Sequence, residues 1–478
     1  MIEGRLLAKP DIGQHLTSPF FPYRLCTAIN TNIDHFHSLI THVQSQQQQQ
    51  QQQVIVNTLL SRLTRVDVFS FGATPINESN ESTVKKLFGS INQSLRKITL
   101  RTPFDSTTAM DTLILHVLEH QYPHLSTISI HFLDGIGSYD SVLSLLERCA
   151  PTLTKLSFFS IFNTRHTDMN VSPMEREATT KFFERMFGIL SITNSRVQSL
   201  LIKRLYFGEL RPFLRGLYTM QHIKKLKLLS YSYYTRPEMD DFNTGLVEFV
   251  QTRKLTILNT PFPVGADLLT AIMSNASIVR LRITPLAMAK LPATLRSLIL
   301  DNETPPTVFT TLITLNPTSN LVRLLLFEHR HYLTADNFDQ FLDFMRTSKS
   351  LSTLFLGDYL FLTDEQKVLL ITVLVRETSL QSLLIGMTDP EDHSMVTNNQ
   401  DSIIARTTKE FDDLQYLLSQ LALYPQSNID HILFEIIDRK LFEQMMIDRH
   451  MDLGNFVFHY YHHSFAMKFH KVKQSWLQ

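Results

Sequence analysis

The chain has 478 residues, 43% of them hydrophobic, which is ample material for a buried core. Lys+Arg and Asp+Glu both number 45, so no global charge draws the protein toward nucleic acid or a membrane surface. No apolar run approaches the ~18 residues of a membrane span. The N-terminus has no basic segment followed by an apolar core, and two cysteines, Cys26 and Cys149, are too few for a disulfide scaffold, so a cytoplasmic or nuclear protein is expected.

In chain order, residues 1–45 open with Pro19-Phe-Phe-Pro22 and then place Leu25, Ile29, Ile33, Phe36, Leu39 and Ile40 at helical spacing. This predicts a short extended stretch and then an amphipathic helix, acting as an N-terminal cap or as a degenerate F-box-like segment. Gln46–Gln53 is a pure glutamine tract with no apolar face to bury, and is read as a linker.

From residue 54 a six-residue apolar pattern, L-x-x-L-x-L, keeps returning. The first copies are Leu63-x-x-Val66-x-Val68, Leu95-x-x-Ile98-x-Leu100, Leu125-x-x-Ile128-x-Ile130 and Leu153-x-x-Leu156-x-Phe158. The middle of the chain carries Val197-x-x-Leu200-x-Ile202, Ile223-x-x-Leu226-x-Leu228, Thr252-x-x-Leu255-x-Ile257 and Ile278-x-x-Leu281-x-Ile283. Leu295-x-x-Leu298-x-Leu300, Leu321-x-x-Leu324-x-Leu326, Leu351-x-x-Leu354-x-Leu356 and Leu380-x-x-Leu383-x-Ile385 complete the series, with one more copy at Ile429-x-x-Ile432-x-Phe434. Most neighbours lie 26 to 32 residues apart, the period of a solenoid whose unit is one strand plus one helix.

Helix starts fall between the copies. Ser172-Pro-Met-Glu175 and Thr363-Asp-Glu-Gln366 read as capping boxes, and Pro305-Pro306 and Thr334-Ala-Asp336 as further helix starts. The 44 residues from Leu153 to Val197 hold an extra loop at Asn163–Val171 and a long helix. The 17 residues from Ile278 to Leu295 leave no room for a helix, only a tight connection around Pro285 and Pro292. The polar run Thr388–Asp401 reads as an excursion, and residues 436–478 as a helical C-terminal cap.

These motifs resemble the leucine-rich repeat family, in its longer, ribonuclease-inhibitor-like branch, over residues 54–435. The resemblance implies an α/β solenoid, a horseshoe with a parallel inner sheet and outer helices. The family pattern continues to an Asn or Cys at the ninth position, where its side chain satisfies backbone groups as the chain leaves the strand. Here that position holds Pro103, Leu133, Ile161, Leu205, Tyr231, Glu303, His329, Tyr359 or Thr388, so the turns must be held by other means.

Chemistry-bearing motifs are sparse. His459-Tyr-Tyr-His462-His463 would share a helix face, but the nearest further candidate ligand, His470, is two turns away and no second shell is evident, so no metal site is expected. Asp134-Gly-Ile-Gly137-Ser begins like a dinucleotide fingerprint, yet Asp140 stands where the third glycine should be and would repel a pyrophosphate. No G-x-x-x-x-G-K, G-x-S-x-G, H-E-x-x-H or C-x-x-C occurs. The expectation is a protein without enzymatic activity, cofactor or small-molecule substrate.

Side chains between the leucines alternate away from the core and form the concave face. They include Lys97, Arg101, Lys155, Lys203, Lys225, Lys227, Lys254, Arg280, Arg282 and Arg323, with Asp301 the one acid from the second copy to the tenth, and then an apolar shelf of Ile299, Leu325, Phe327, Phe355 and Leu384. The expected partner is a protein with an acidic and partly apolar surface, with no membrane involved; nucleic acid would show itself by steep salt dependence. Alternatives of the same architecture are a ubiquitin-ligase substrate receptor, through the F-box-like segment, and a GTPase regulator of the Ran GTPase-activating type.

Overall fold

A computed structural model describes residues 29–32 and 65–69, then 88–471 apart from isolated positions and the segments 102–110, 134–138, 162–172, 204–208, 230–233, 286–289, 301–304, 327–332, 358–361, 386–399, 436–438, 454–455 and 461–465. The cap or F-box-like reading of residues 1–45 and the linker reading of the glutamine tract fall almost wholly outside these described residues, as do Asn163–Val171 and Ser172.

The chain divides into two compact units, Met1–Phe249 and Val250–Gln478. In the first, seven strands lie side by side in sequence order: β1 (Ile29–Asn32), β2 (Arg65–Phe69), β3 (Lys97–Arg101), β4 (Thr127–Leu133), β5 (Lys155–Ile161), β6 (Ser199–Lys203) and β7 (Lys225–Leu229). All their pairings are parallel. Helices α1 (Tyr139–Cys149), α2 (Pro173–Ile192) and α3 (Leu210–Thr219) connect the later strands, and α4 (Arg236–Thr252) follows β7.

The second unit repeats the plan with β8 (Ile257–Val264), β9 (Arg280–Pro285), β10 (Ser297–Leu300), β11 (Arg323–Leu326), β12 (Thr353–Leu356), β13 (Ser382–Ile385) and β14 (His431–Glu435), again parallel and in order. Its helices are α5 (Ala266–Ser274), α6 (Pro306–Leu315), α7 (Phe338–Thr347), α8 (Asp364–Arg376), α9 (Gln400–Leu423) and α10 (Arg439–Asp448). Between β9 and β10 the described residues hold no helix, as the short spacing requires.

Strictly sequential order has a consequence. Parallel crossovers keep one hand, so when each strand is added on the same side of the last, the connecting helices stack on one face of the sheet. The fourth and sixth positions of the copies meet those helices: Leu281, Leu298, Leu324, Leu354 and Leu383 are each 0% exposed. Burying one such leucine contributes about 1.5–3 kcal/mol, and the copies repeat that gain along each unit.

The sequence explains how the helices seat. Thr363 and Gln366 form the reciprocal capping box at α8, with N···O distances of 3.2 and 3.0 Å, and Pro306 occupies the first turn of α6, where its missing N–H costs nothing. In the first unit a chain of phenylalanines fills the helix layer, with Phe183 and Phe187 meeting Phe213 edge-on at 5.1 and 5.4 Å. Glycines permit the close approach there: a Cβ on Gly216 would lie 2.1 Å from the Phe187 ring, and one on Gly245 would lie 2.6 Å from Leu214 Cδ1.

What replaces the absent asparagine ladder lies at the start of the strand. Thr152 Oγ1 donates to the Leu125 carbonyl (2.6 Å), Thr294 Oγ1 to Ile278 (3.2 Å), Ser350 Oγ to Leu321 (2.9 Å) and Ser379 Oγ to Leu351 (3.2 Å). In each case the hydroxyl residue immediately precedes one copy and reaches back to the first residue of the copy before. Asn275 and Asn316 secure two helix ends: Asn275 Nδ2 donates to the Val250 and Arg253 carbonyls, and Asn316 Oδ1 accepts from Leu291 N–H.

Several expectations need correction. Ile29–Asn32 is a strand parallel to β2, not part of a helix: four residues that fit either period pair with an available sheet edge. The seventh copy is Leu255-x-x-Leu258-x-Thr260, three residues later than the spacing suggested, because Leu258 pairs with Leu281 in register while Ile257 is half-buried. Helix α7 starts at Phe338 rather than at Thr334, with Asn337 as its N-cap residue. Gln400 and Asp401 already belong to α9. The C-terminal region is not all helical: after α10 come β15 (Phe456–Tyr460) and β16 (Ala466–Lys471), an antiparallel pair whose second strand joins β14. His459 and Tyr460 are therefore on a strand, and Tyr461, His462 and His463 lie outside the described residues.

Candidate functional site

Side chains at the third, fifth and seventh positions of each copy project from the sheet face opposite the helices, and the pairing register aligns them in rows across neighbouring strands. In the first unit the third-position row reads Arg65, Lys97, Thr127, Lys155, Ser199, Lys225. In the second it reads Ile257, Arg280, Ser297, Arg323, Thr353, Ser382, His431. From Lys97 to Lys225, and from Arg280 to Arg323, a hydroxyl residue thus separates consecutive cations, whereas Arg65 pairs with Lys97 directly. Adjacent parallel strands are ~4.8 Å apart, so this alternation moves like charges to ~10 Å at the backbone, about one Debye length at physiological salt.

The expected site residues fall into distinct groups. Lys155 and Lys225 are exposed on their row, while Lys97, Lys203, Lys227, Arg280, Arg282 and Arg323 are half-buried strand residues. Arg101 ends β3, beside His131 of β4 in register. Lys254 does not belong to the set: with the copy shifted, it precedes β8 in an exposed turn, and Ile257 takes the strand position. Phe327 and Asp301 lie outside the described residues.

The apolar shelf exists but is not open. Ile299, Leu325 and Phe355 pack on one another across β10, β11 and β12, only 8, 6 and 6% exposed, and Leu384 lies half-buried against them. Phe355 therefore presents little surface, and this cluster lies beside the row of Arg280 and Arg323.

The first unit carries a feature the sequence reading missed. Its fifth-position row contains Thr99, Ser129 and Ser157, all buried (4, 7 and 3% exposed), and beside them His131 stacks on Phe159 with ring centroids 4.3 Å apart. Small hydroxyl side chains sink between the longer flanking ones. The cue was available: every fifth residue from the Leu95 to the Leu153 copy is Ser or Thr.

Electrostatically, Arg323 stands out. Burial, and then the like charge of Arg280 two strands away, pull its guanidinium below the ordinary arginine value. Elsewhere burial pushes the Cys149 thiol up to about 11, so it stays protonated and unreactive at neutral pH. Among the described residues no cluster of three His, Cys, Asp or Glu side chains could hold a metal ion, and no helix is long and apolar enough to cross a membrane.

No known family model matches this chain, and no curated protein matches it. The arrangement itself is suited to recognising an extended anionic surface: fixed cations at regular intervals on a hydrogen-bonded sheet, with hydroxyl donors between them.

Proposed function

We propose that the protein is a non-enzymatic scaffold of the leucine-rich repeat type, which binds an acidic protein partner through the sheet face opposite its helices. The observation that carries this reading is the cation–hydroxyl alternation on that face, found independently in each unit: Lys97, Lys155 and Lys225 in the first, Arg280 and Arg323 in the second. Support for the repeat family comes from the register, since the fourth and sixth positions of successive copies pair with one another and are buried. A free, buried Cys149 is compatible with a cytoplasmic or nuclear setting.

Charge of this kind acts first on encounter. Cations aligned along a sheet steer an acidic surface into register and discriminate against basic partners. Affinity purification of the full chain with quantitative mass spectrometry, at two salt concentrations, tests the proposal. Enrichment of acidic proteins that fall away at high salt supports it. Recovery dominated by nucleic acid and its binding proteins, lost on nuclease treatment, contradicts it.

A further inference from the structure

The row in the second unit supports a more specific assignment, which rests on the protein-binding reading above. Ser297 of β10 pairs in register with Arg280 on one side and with Arg323 on the other. Its neighbours Leu298 and Leu300 point into the core at 0 and 1% exposure, so Ser297 belongs to the face with the arginines. It is 6% exposed, and its hydroxyl has no hydrogen-bond partner. The other hydroxyls of the two third-position rows, Thr127, Ser199, Thr353 and Ser382, are half-buried.

Both arginines are half-buried, and among the described residues no carboxylate pairs with either. Two like charges therefore flank an unsatisfied donor, an arrangement that a single anion would relieve at all three points. We infer that Arg280, Ser297 and Arg323 form a subsite for a carboxylate, supplied by an aspartate or glutamate side chain of the partner protein. The guanidinium groups donate from both sides and the Ser297 O–H donates from the floor, which together fill the acceptor sites of one planar carboxylate. Rotation of the long arginine side chains opens the hydroxyl to the incoming group.

A phosphate fits less well. Its additional oxygens need further donors, and the local backbone N–H groups are taken: Ser297 N–H bonds Val279 and Arg323 N–H bonds Arg296, at 3.0 and 2.9 Å. In the next row the residues that follow Ser297 and Arg323 are Ile299 and Leu325, both apolar, and Arg282 lies on β9 in register with Ile299.

The test uses the full chain labelled at arginine and titrated with sodium glutarate at constant ionic strength, the guanidinium N–H resonances being followed by NMR. Saturable shifts of Arg280 and Arg323 are expected, weakened at least about tenfold by Ser297→Ala, as befits loss of one hydrogen bond to a charged group, and unchanged by Thr353→Ala. Tighter binding of inorganic phosphate than of glutarate would overturn the carboxylate assignment. So would equal shifts with chloride, or a Ser297→Ala protein that binds glutarate as before. Because glutarate is not a macromolecule, the two readings fail separately. Loss of glutarate binding with salt-sensitive acidic capture intact sinks this subsite alone, whereas glutarate binding without acidic capture sinks the partner reading alone.

Discussion

Ser350 Oγ donates to the Leu321 carbonyl oxygen at 2.9 Å and so ties one repeat to the one before it, as Ser379 does to Leu351 one repeat later. A solenoid is held together chiefly by contacts between neighbouring repeats. Ser350→Ala and Ser379→Ala should each cost about 1 kcal/mol, the net worth of one such bond. Chemical denaturation of the single and double variants checks this. An unchanged midpoint in the double variant would mean that water replaces the staple without loss.

Gly216 tests the helix layer. With the Phe187 ring at 2.1 Å from where its Cβ would stand, Gly216→Ala cannot be accommodated without moving that ring. The better helix propensity of alanine contributes ~1 kcal/mol in the opposite direction, but overpacking of this kind costs ~1–3 kcal/mol. Net destabilisation in thermal unfolding is expected, relieved by the second change Phe187→Leu. A stabilised Gly216→Ala protein would show that the ring shifts freely.

Glu238 links α4 to α2 and gives the first unit a pH dependence. Burial opposes its ionisation, but a bond from Arg176 and bonds from the Thr235 N–H and O–H at 2.8 and 2.9 Å outweigh it, so its carboxyl titrates below the ordinary glutamate value. A depressed carboxylate pKa stabilises the fold above the unfolded value, ~4.3, and that contribution disappears as pH falls through the folded value. The Arg176 and Glu238 side chains are 39 and 29% exposed, so solvent screening holds the effect to about 1 kcal/mol or less. Denaturation midpoints of the parent and Glu238→Gln proteins should diverge at pH 7 and converge toward pH 3. Parallel curves would remove Glu238 from the acid response.

How much of this was legible in the sequence follows from what each signal depends on. Leu298, Leu324 and Leu354 were readable as core because three-residue and two-residue apolar spacing is a property of one strand alone. The copy near Leu255 was misplaced because Thr252, Leu255 and Ile257 satisfy the same spacing, and only pairing of Leu258 with Leu281 decides between them. That error moved Lys254 onto a face it does not occupy. The cationic rows were visible as a list of residues, but their alternation with Thr127, Ser199 and Ser297 was not, since it exists only once strands 26 or more residues apart, or 17 for β9 and β10, are aligned. The closed state of Phe355 was equally hidden: it depends on Leu325 and Ile299 of neighbouring strands.

The face-specific claim is tested most directly by a charge-matched comparison on one captured acidic partner. In one protein Lys225, Lys227, Arg280 and Arg282, all on strands, are changed to Glu; in the other Lys181, Arg185, Arg211 and Arg215, exposed on α2 and α3, are changed instead. Both proteins carry the same net charge, and circular dichroism establishes that each is folded. The account predicts that Kd rises at least a hundredfold for the strand-face protein and changes less than threefold for the helix-face protein, on the order expected when several close charge pairs become repulsive. Equal losses in the two proteins, or an unchanged Kd in a folded strand-face protein, would contradict it.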